Sequence, residues 1–289
     1  MIPLVNPRRT TEILEQYRFR PSKKLGQNFL VDANILNKIL EAADPRSEDV
    51  VLEIGPGIGT VTEVLAPRVR LVLAVEYDRR LFSILKDTLK EFSNVQLANA
   101  DALKVDLRKI LPNVLLCNKM VSNLPYQIAA PLLLKILGEY PEIKRCVVML
   151  QREVADRLLA NRGSKNFGAF TLKVQYRAQI EMVAKVSRKV FIPEPNVDSA
   201  VVKLERRAYP QVKVANEKLL FAVITAAFEH RRKTLRNALS EATFLGFSKE
   251  EVEVGLRKSG IDPRRRGESL DLADYGGLTN AFAQMAKMP

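Results

Sequence analysis

Between residues 50 and 150 the chain alternates short apolar runs with longer segments whose apolar residues recur at helical spacing. Arg79–Phe92 carries apolar residues three or four positions apart, and Ile128–Leu137 has the same periodicity. The short runs are apolar on both faces, which is typical of parallel strands covered by helices on either side. The pattern therefore predicts a doubly wound α/β sheet. The predicted strands are Val50–Ile54, Leu71–Glu76, Val95–Ala98, Lys119–Ser122 and Cys146–Leu150.

Beyond residue 150 the pattern changes twice. Ile180–Val186 and Ala200–Glu205 flank a proline-containing segment, Phe191–Pro195, and these two runs predict an antiparallel edge of the sheet. From Arg206 onward the spacing is helical, and Tyr209-Pro210 is typical of a linker. We therefore expect a boundary near residue 208, with an α/β domain over 1–207 that includes a basic N-terminal segment over 1–31, and a small all-helical domain over 208–289. The predicted helices of that domain are Leu219–Leu239, Lys249–Lys258 and Leu278–Ala286.

Composition narrows the class of partner. The chain has 289 residues, of which 47% are apolar, and this is enough to bury a full core. Its formal net charge of +13 favours an extended polyanion, such as RNA, DNA or an acidic membrane surface, over a small metabolite. No apolar run approaches the roughly 20 residues that span a bilayer. Because Arg8, Arg9 and Glu12 precede any apolar stretch, the N-terminus is unlike a secretory signal, and we expect a cytoplasmic protein.

The cysteines and the histidine give no indication of a metal or redox site. Cys117 and Cys146 each lie in an apolar strand context, and the chain has no CxxC motif, so we expect reduced core thiols. His230 is the only histidine and is expected on the surface of a helix. We expect no metal ion.

A glycine-rich turn, Glu53-Ile54-Gly55-Pro56-Gly57-Ile58-Gly59, follows the first predicted strand. A dinucleotide-binding fold begins in the same way and also places an acidic residue, here Glu76, at the end of the second strand. However, Thr60 stands where the dinucleotide fingerprint requires a glycine. We therefore expect a nucleoside cofactor that carries a sulfonium and an amino-acid tail. Glu76 is expected to accept the ribose hydroxyls, and Asp101, after the third strand, the adenine amine.

The sequence Asn123-Leu124-Pro125-Tyr126, after the fourth predicted strand, indicates methylation of an amine on a base. An exocyclic amine is a poor nucleophile because its lone pair is delocalised into the ring. The Asn123 side-chain oxygen and the next main-chain carbonyl can accept both amine hydrogens and localise that lone pair. Pro125 removes a competing N–H donor, and Tyr126 offers a flat face for an extruded base. A simple strand-ending turn is the alternative interpretation.

Together these motifs resemble the bacterial ribosomal RNA adenine N6,N6-dimethyltransferases that act near the 3′ end of small-subunit rRNA. The resemblance implies an S-adenosylmethionine-binding catalytic domain over 1–207 and an rRNA-recognition domain over 208–289. It also implies cofactor contacts at Asn28, Leu30, Gly55, Glu76, Asp101 and Asn123. The motifs that carry the resemblance are Lys24–Leu30, Glu53–Thr60, Glu76, Asp101, Asn123–Tyr126, Phe191–Ser199 and Phe228–Leu239.

The function that the resemblance implies is specific. The enzyme would dimethylate the N6 amines of two adjacent adenosines in the loop of the 3′-terminal hairpin of 16S rRNA, within the 30S subunit or its precursor, and would release S-adenosylhomocysteine. It would be a monomer with no membrane partner. It would also serve as a late checkpoint of small-subunit assembly. Two alternatives remain. One is a large-subunit rRNA adenine dimethyltransferase that confers antibiotic resistance, against which Phe228–Leu239 argues; the other is a non-catalytic assembly factor.

Gln27–Leu30 and Phe191 each allow both a functional and a structural interpretation. Gln27–Leu30 can be only the lead into a helix over Asp32–Ala43, with Asp32 as its N-cap. Phe191 can pack in the core or flank the target base together with Tyr126.

Basic residues can form a solvated helix face or a phosphate-binding surface. Arg232 and Arg236 are four positions apart and would share one face of the predicted helix. Because the basic residues form three clusters, the phosphate-binding surface is the better interpretation. The clusters are Arg231, Arg232, Lys233 and Arg236; Arg264, Arg265 and Arg266; and Arg18, Arg20, Lys23 and Lys24.

Overall fold

The computed structural model describes residues 3–230 and 232–285 and contains a seven-stranded and a two-stranded sheet. The order of the larger sheet is β4-β3-β2-β5-β6-β9-β7, and β1 pairs with β8. The pairs among β2 to β6 are parallel, whereas β9 runs antiparallel to β6. The predicted α/β sheet with an antiparallel edge is confirmed. The strands are β1 (Phe29–Leu30), β2 (Val50–Ile54), β3 (Leu71–Glu76), β4 (Val95–Asn99), β5 (Lys119–Asn123), β6 (Arg145–Gln151), β7 (Ala178–Val186), β8 (Phe191–Ile192) and β9 (Ser199–Arg206).

The predicted strands agree with the observed ones to within two residues at either end. The apolar character of the central strands β2, β3, β5 and β6 follows from burial on both faces of the sheet. Val51, Val72, Val121 and Val147, from four different strands, belong to one core cluster and are almost completely buried. This cluster also receives Ile39 from the helix that precedes β2.

Twelve α-helices occur within the described residues, and several begin at side-chain caps that the sequence makes visible. The predicted N-cap at Asp32 is confirmed, because its carboxylate accepts a hydrogen bond from the Ile35 N–H at 2.9 Å. The helices are α1 (Pro7–Gln16), α2 (Ala33–Ala43), α3 (Thr60–Leu65), α4 (Arg79–Thr88), α5 (Leu107–Ile110), α6 (Ala129–Glu139), α7 (Arg152–Leu158), α8 (Ala169–Arg177), α9 (Glu217–Glu229), α10 (Leu235–Glu241), α11 (Lys249–Lys258) and α12 (Leu272–Met285).

The single helix predicted over Leu219–Leu239 is wrong, because two helices cover this segment. α9 ends before His230, whose backbone leaves the helical region, and α10 begins after Thr234. Thr234 has extended backbone angles and caps α10 by accepting from the Asn237 N–H. The periodicity continues through the break because both helices bury apolar residues in one core. The prediction over Leu278–Ala286 is also too short at its start, since α12 begins at Leu272; Ala286 lies outside the described residues.

The order of the strands creates a crevice at one edge of the sheet. β2 and β5 are neighbours, but the chain leaves β2 toward β3 on one side and returns to β5 on the other side. Ligands of open α/β sheets bind at such a switch point, outside the carboxyl ends of the strands. Gly55 directly follows β2 and Asn123 ends β5, so both motif residues lie at this point.

The chain divides into two compact units. The first unit runs through Ala155 and resumes with Gln179–Arg206, and the second comprises Asp156–Ala178 and the chain from Arg207 onward. The change at Arg207 lies beside the boundary expected near residue 208. Residues 156–178, which the sequence analysis grouped with the α/β domain, instead cluster with the second unit. Their Phe167, Leu172 and Tyr176 side chains belong to the apolar core formed by the C-terminal helices.

The cysteines, the histidine and the apolar helices can be compared with the expectations from sequence. Cys117 and Cys146 are buried free thiols, and burial raises the pKa of each to about 12. His230 is exposed at the end of α9 rather than within the helix. Among residues 3–230 and 232–285, no helix combines the length and the apolarity needed to cross a membrane.

Candidate active site at the carboxyl edge of the sheet

The crevice at the switch point is a cavity of about 270 Å³, formed entirely within the first unit. This volume suits a small-molecule ligand rather than a single ion or water molecule. Its walls come from the segment before and including β1, the glycine turn after β2, and the ends of β3, β4 and β5. The predicted site residues that line it are Asn28, Leu30, Gly55, Glu76, Asp101, Asn123, Leu124, Pro125 and Tyr126.

The glycine turn is shaped by two constraints on Gly55. Its φ of +71° lies in the left-handed region, which side chains rarely adopt. In addition, a Cβ atom at Gly55 would lie only 2.9 Å from Cδ of Pro125. The turn after β2 and the Asn123–Tyr126 segment can therefore approach each other this closely only because residue 55 has no side chain.

Glu76 ends β3 with its carboxylate held by the backbone. Its oxygens accept from the N–H of Asp78 at 2.8 Å and of Gly57 at 3.2 Å. Burial raises the pKa of Glu76 to about 7, although these two hydrogen bonds favour the charged form. Because a carboxylate has about four acceptor positions, these main-chain donors leave capacity for ligand hydroxyls.

Glu53, in β2, is a cavity residue whose chemistry the sequence analysis did not assign. Its side chain is fully buried and accepts from the Thr62 hydroxyl at 2.6 Å. Burial raises its pKa to about 8, and the nearby Glu76 charge acts in the same direction. A carboxylate within an otherwise apolar strand is the sequence signal that could have identified it.

Asp101 lies after β4 at the opposite wall. Its Oδ1 accepts from the Leu103 N–H at 3.0 Å, which fixes the turn, and its Oδ2 is 3.7 Å from Nζ of Lys104. The ion pair is with an exposed lysine and contributes little. The carboxylate therefore keeps acceptor capacity toward the cavity.

The Asn123 side chain has a defined orientation. Its Nδ2 donates to the main-chain carbonyl of Asn28 at 3.1 Å. The Asn28 side chain in turn donates to the Gly26 carbonyl at 3.2 Å. Among the described residues nothing donates to the Asn123 amide oxygen, so this oxygen remains available as an acceptor for a ligand in the cavity.

The two predicted aromatic residues differ in position. Tyr126 is half-buried, lines the cavity and has its hydroxyl 2.7 Å from that of Ser199. Phe191 is only 3% exposed, pairs with Leu30 across β1 and β8, and packs in the same core cluster as Leu30. Phe191 is not one of the described residues that line the cavity. Its position agrees with the core-packing alternative rather than with base stacking.

The residues present fit an S-adenosylmethionine-like ligand. The glycine turn packs closely on Pro125 and Phe29, since Cβ atoms at Gly55 and Gly57 would lie within about 3.1 Å of them, and its backbone lines the cavity without side chains at these two positions. Glu76 and Asp101 provide acceptors for hydroxyl and amine donors, and the apolar Ile54, Leu103 and Ile128 complete the lining. A ligand that carries donors and a cation is therefore favoured over one that carries a pyrophosphate.

Two basic segments of the second unit are joined by backbone hydrogen bonds. The Leu235 N–H donates to the Arg265 carbonyl at 2.7 Å, and the Arg236 N–H donates to the Pro263 carbonyl at 3.2 Å. These bonds bring together two clusters that are well separated in sequence. We call the result the basic surface, which comprises Arg232, Lys233, Arg236, Arg264, Arg265 and Arg266. Arg231, also predicted to bind RNA, lies outside the described residues.

The placement of Arg232 and Arg236 on one helix face is wrong. Arg232 lies in the turn between α9 and α10, because the Thr234 cap starts a new helix after it. Arg236 lies in α10 and pairs with Glu253 at 2.9 Å. The two side chains therefore differ in both backbone setting and electrostatic partner.

Comparison with known proteins agrees with the architecture and the motifs. The family described as "Ribosomal RNA adenine dimethylase" matches residues 18–277. The chain is 48% identical over 286 residues to ribosomal RNA small subunit methyltransferase A of Geobacillus kaustophilus, with 98% of each chain covered. It is 45% identical over 285 residues to the protein of the same name from Alkaliphilus metalliredigens, with 98% of this chain and 99% of the relative covered.

Solved structures agree with this assignment. A dimethyladenosine transferase from Plasmodium falciparum superposes with a TM-score of 0.74 at 27% identity, covering 89% of this chain and 98% of that one. A 23S rRNA methyltransferase superposes with a TM-score of 0.63, also at 27% identity, covering 89% and 100%. The fold is thus that of S-adenosylmethionine-dependent methyltransferases. The sequence match over most of the chain shows that the protein belongs to the ribosomal RNA adenine dimethylase family.

Proposed function

We propose that this protein dimethylates the N6 amines of two adjacent adenosines in the 3′-terminal hairpin loop of 16S rRNA, within the 30S subunit or its precursor. The observation that carries the proposal is the orientation of Asn123, whose amide oxygen is left as an acceptor at the switch point. Relatives that are 45–48% identical over nearly the whole chain are named as small-subunit rRNA methyltransferases. Enzymes of this family use S-adenosylmethionine.

The residues that would hold the cofactor are Asn28, Leu30, Gly55, Glu76, Asp101 and Asn123. When bound, S-adenosylmethionine supplies an electrophilic methyl group on a sulfonium and leaves as S-adenosylhomocysteine. Glu76 would accept ribose hydroxyls, and Asp101 an adenine amine. Gly55 would let the backbone come close to the ligand. No metal ion has a role in this scheme.

The Asn123–Tyr126 segment would act on the target adenine. The Asn123 amide oxygen and the Leu124 carbonyl accept the two hydrogens of the N6 amine, which localises its lone pair. The Leu124 N–H donates to the Met149 carbonyl at 2.9 Å, which fixes the Asn123–Leu124 peptide, and the Pro125 ring restricts the next peptide, which carries the Leu124 carbonyl. Such preorganised acceptors contribute without reorganisation during the reaction. After transfer, the N6 group is a strongly acidic cation, and it loses a proton to water or to another nearby acceptor.

Tyr126 would offer its ring to the extruded adenine. Pro125 stiffens the turn, and its carbonyl accepts from the Ile128 N–H at 3.1 Å. Base stacking on an aromatic ring is worth roughly 1–3 kcal/mol. A stacking role for Phe191 would require its ring to leave the core, so we assign stacking to Tyr126 alone.

Recognition of rRNA would involve the basic surface of the second unit, in keeping with the rRNA-recognition role proposed for residues 208–289. Several of its cations have acidic partners. Lys233 pairs with Glu241, Arg236 with Glu253, Arg264 with Asp262 and Arg265 with Asp274. Arg232 and Arg266 have no ion-pair partner among the described residues. Because phosphate binding has to compete with any existing ion pair, we expect the unpaired arginines to contribute most.

The first unit contributes a further set of cations beside the cavity. Arg18, Arg20, Lys23 and Lys24 are exposed and without an ion-pair partner in the described part of the chain. Lys24 directly precedes Leu25 and Gly26, which line the cavity. These residues suit contact with phosphates near the target base. We place the reaction in the cytoplasm, where small ribosomal subunits are assembled. We also propose that the protein is a monomer and serves as a checkpoint in the assembly of that subunit.

The alternative with most support is a large-subunit rRNA adenine dimethyltransferase. A solved 23S rRNA methyltransferase shares the fold, but at 27% identity compared with 45–48% for the small-subunit relatives. A non-catalytic assembly factor is less well supported, because the acceptors of the cavity are all present and oriented.

Transfer of labelled methyl groups tests the proposal. Purified small subunits that lack the modification are incubated with the protein and S-adenosylmethionine, and the labelled nucleosides are identified and mapped. We expect N6,N6-dimethyladenosine at two adjacent positions near the 3′ end of 16S rRNA. Large subunits and fully modified small subunits are the controls. Label in large-subunit RNA would favour the alternative enzyme, and no label in any RNA would favour the assembly factor.

A further inference from the structure

The segment Phe191–Ser199 is one of the motifs that carry the family resemblance, but the proposed mechanism gives it no role. Its last residue, Ser199, begins β9 and is fully buried. The Ser199 hydroxyl lies 2.7 Å from the hydroxyl of Tyr126. This bond joins the segment to the one aromatic ring that we assign to the target base.

We propose that Ser199 is a positioning residue that fixes the Tyr126 ring at the cavity before the target adenine arrives. The inference rests on the proposed function, because it assumes that Tyr126 receives the base. It concerns the hydroxyl pair alone and assigns Ser199 no contact with substrate or cofactor.

Ser199 can hold the ring because its own backbone is fixed. It pairs with Gln151 at the end of the β6 and β9 ladder. The preceding residue, Asp198, accepts from the Arg152 N–H through its carbonyl at 3.0 Å and from the Arg188 N–H through its carboxylate at 3.0 Å. The hydroxyl of Ser199 therefore has little freedom to follow a moving ring.

Tyr126 is held at its other end as well. A Cβ atom at Gly26 would lie 3.2 Å from the Tyr126 nitrogen, so the backbone of Tyr126 is in close contact with the segment before β1. A tyrosine side chain has two rotatable bonds. Because the backbone is packed at one end and the hydroxyl is held at the other, rotation about the first bond (χ1) is restricted, while the ring can still turn about the axis through its hydroxyl. The position of the ring is thus set in advance, and binding of the base does not have to supply that ordering.

The hydroxyl pair does not serve as an acid or base in this scheme. Burial raises the pKa of Tyr126 above its usual value, so its phenol remains protonated near neutral pH. A protonated phenol between two fixed segments is suited to orientation rather than to proton abstraction. The expected consequence is an effect on use of the RNA substrate and none on cofactor affinity.

A double-mutant cycle tests this inference. Ser199→Ala, Tyr126→Phe and the double variant are compared with wild type in methyl transfer to unmodified small subunits, with kcat and KM determined separately. Each single change removes the same hydrogen bond, so we expect each to lower kcat/KM by about three- to tenfold. The kcat/KM of the double variant should be no lower than that of the less active single variant. Calorimetric affinity for S-adenosylmethionine should be unchanged throughout.

Two further variants separate positioning from general stability. Ser199→Thr keeps the hydroxyl and should restore most of kcat/KM. Tyr140→Phe is the matched control, because the Tyr140 hydroxyl is also held by hydrogen bonds, including one from the Leu107 N–H at 2.9 Å, but Tyr140 does not line the cavity. It should lower the melting temperature without changing kcat/KM. If Ser199→Ala does not fold, Ser199→Cys takes its place in the cycle.

Additive losses in the double variant, or unchanged kcat/KM in a folded Ser199→Ala protein, would overturn the inference. Failure of the proposed function would look different. In that case wild type would transfer no methyl to small-subunit RNA. An active wild type with additive variants rejects the positioning role alone.

Discussion

The cavity of the first unit and the basic surface of the second unit hold their polar side chains in different ways. In the cavity, Glu76 and Asn123 are fixed by main-chain groups. On the basic surface, Arg236 and Arg264 are paired with the carboxylates of Glu253 and Asp262. The cavity partners leave particular oxygens available, whereas the ion pairs occupy the charges that a polyanion would need.

This difference corresponds to two roles: the cavity positions the reacting groups, and the basic surface contributes affinity for RNA. Main-chain partners are held in place by the surrounding fold, so a cavity side chain fixed by them is preorganised and its loss should be costly. Surface ion pairs are weak and exchange readily, so each arginine can move from its carboxylate to a phosphate at modest cost. We therefore expect large effects from single changes in the cavity and small, salt-dependent effects from single changes on the basic surface.

The largest effect is expected for Asn123→Ala. Loss of a preorganised acceptor should lower kcat for methyl transfer on the order of 100-fold, and by at least about tenfold. Binding to immature small subunits should be nearly unchanged. Asn113→Ala is the control, because the Asn113 amide also donates a hydrogen bond, to Gln96 at 3.2 Å, but does not line the cavity. If subunit binding falls together with activity, Asn123 holds RNA or structure rather than the reacting amine.

The next effect concerns Glu76 and the cofactor. Hydrogen bonds to a charged group contribute roughly 1.5–3 kcal/mol, so Glu76→Ala should weaken S-adenosylmethionine binding by about ten- to hundredfold in calorimetry. Glu41→Ala, a change on the exposed face of α2, is the control. A folded Glu76→Ala protein with wild-type affinity would show that the carboxylate does not contact the cofactor.

The pH dependence of binding sharpens the same test. Burial raises the pKa of Glu76 to about 7, so a growing share of the carboxyl is protonated as the pH falls through that value. If the ligand hydroxyls need the charged form, wild-type affinity should rise between pH 6 and pH 8. Glu76→Gln should lose that part of the rise. An identical pH profile in this variant would assign the dependence to another group, such as Glu53.

The smallest effect separates two arginines of the basic surface. Arg232→Ala should weaken binding to small subunits severalfold and reduce the slope of log affinity against log salt by about one unit. Arg236→Ala should change both less, because Arg236 has to leave Glu253 before it can bind phosphate. Titrations at several salt concentrations measure both quantities. Equal slope changes in the two variants would show that the ion pair with Glu253 does not limit Arg236.

Glu253→Gln offers a converse test of that ion pair. It releases Arg236 without removing a cation, so affinity for the subunit should increase slightly. Cofactor affinity should remain constant in all three variants of the second unit. A decrease in subunit affinity in Glu253→Gln would indicate that the ion pair orients Arg236 for RNA.

Much of the fold could be predicted from sequence, because buried positions are apolar and recur with the period of the helix or strand that contains them. Strands such as Val50–Ile54 are apolar except for Glu53, and their predicted bounds agree with the observed ones. The helix over Leu219–Leu239 was the main error. Both α9 and α10 face one core, so their apolar spacing continues through a break that only the Thr234 cap reveals. Periodicity reports which face is buried, but it does not report where the backbone changes direction.

The sequence by itself also determined which motif residues meet. Gly55, Glu76, Asp101 and Asn123 each follow or end a parallel strand, and the carboxyl ends of such strands share one edge of the sheet. Only the tertiary structure decided what each group does there. The Asn28 carbonyl orients the Asn123 amide. Burial raises the pKa of Glu53, and Ser199 holds Tyr126. These partners are distant in sequence and leave no periodic pattern. A hydrogen bond depends on the positions of two particular atoms, whereas a sequence pattern reports only the regular spacing of buried residues.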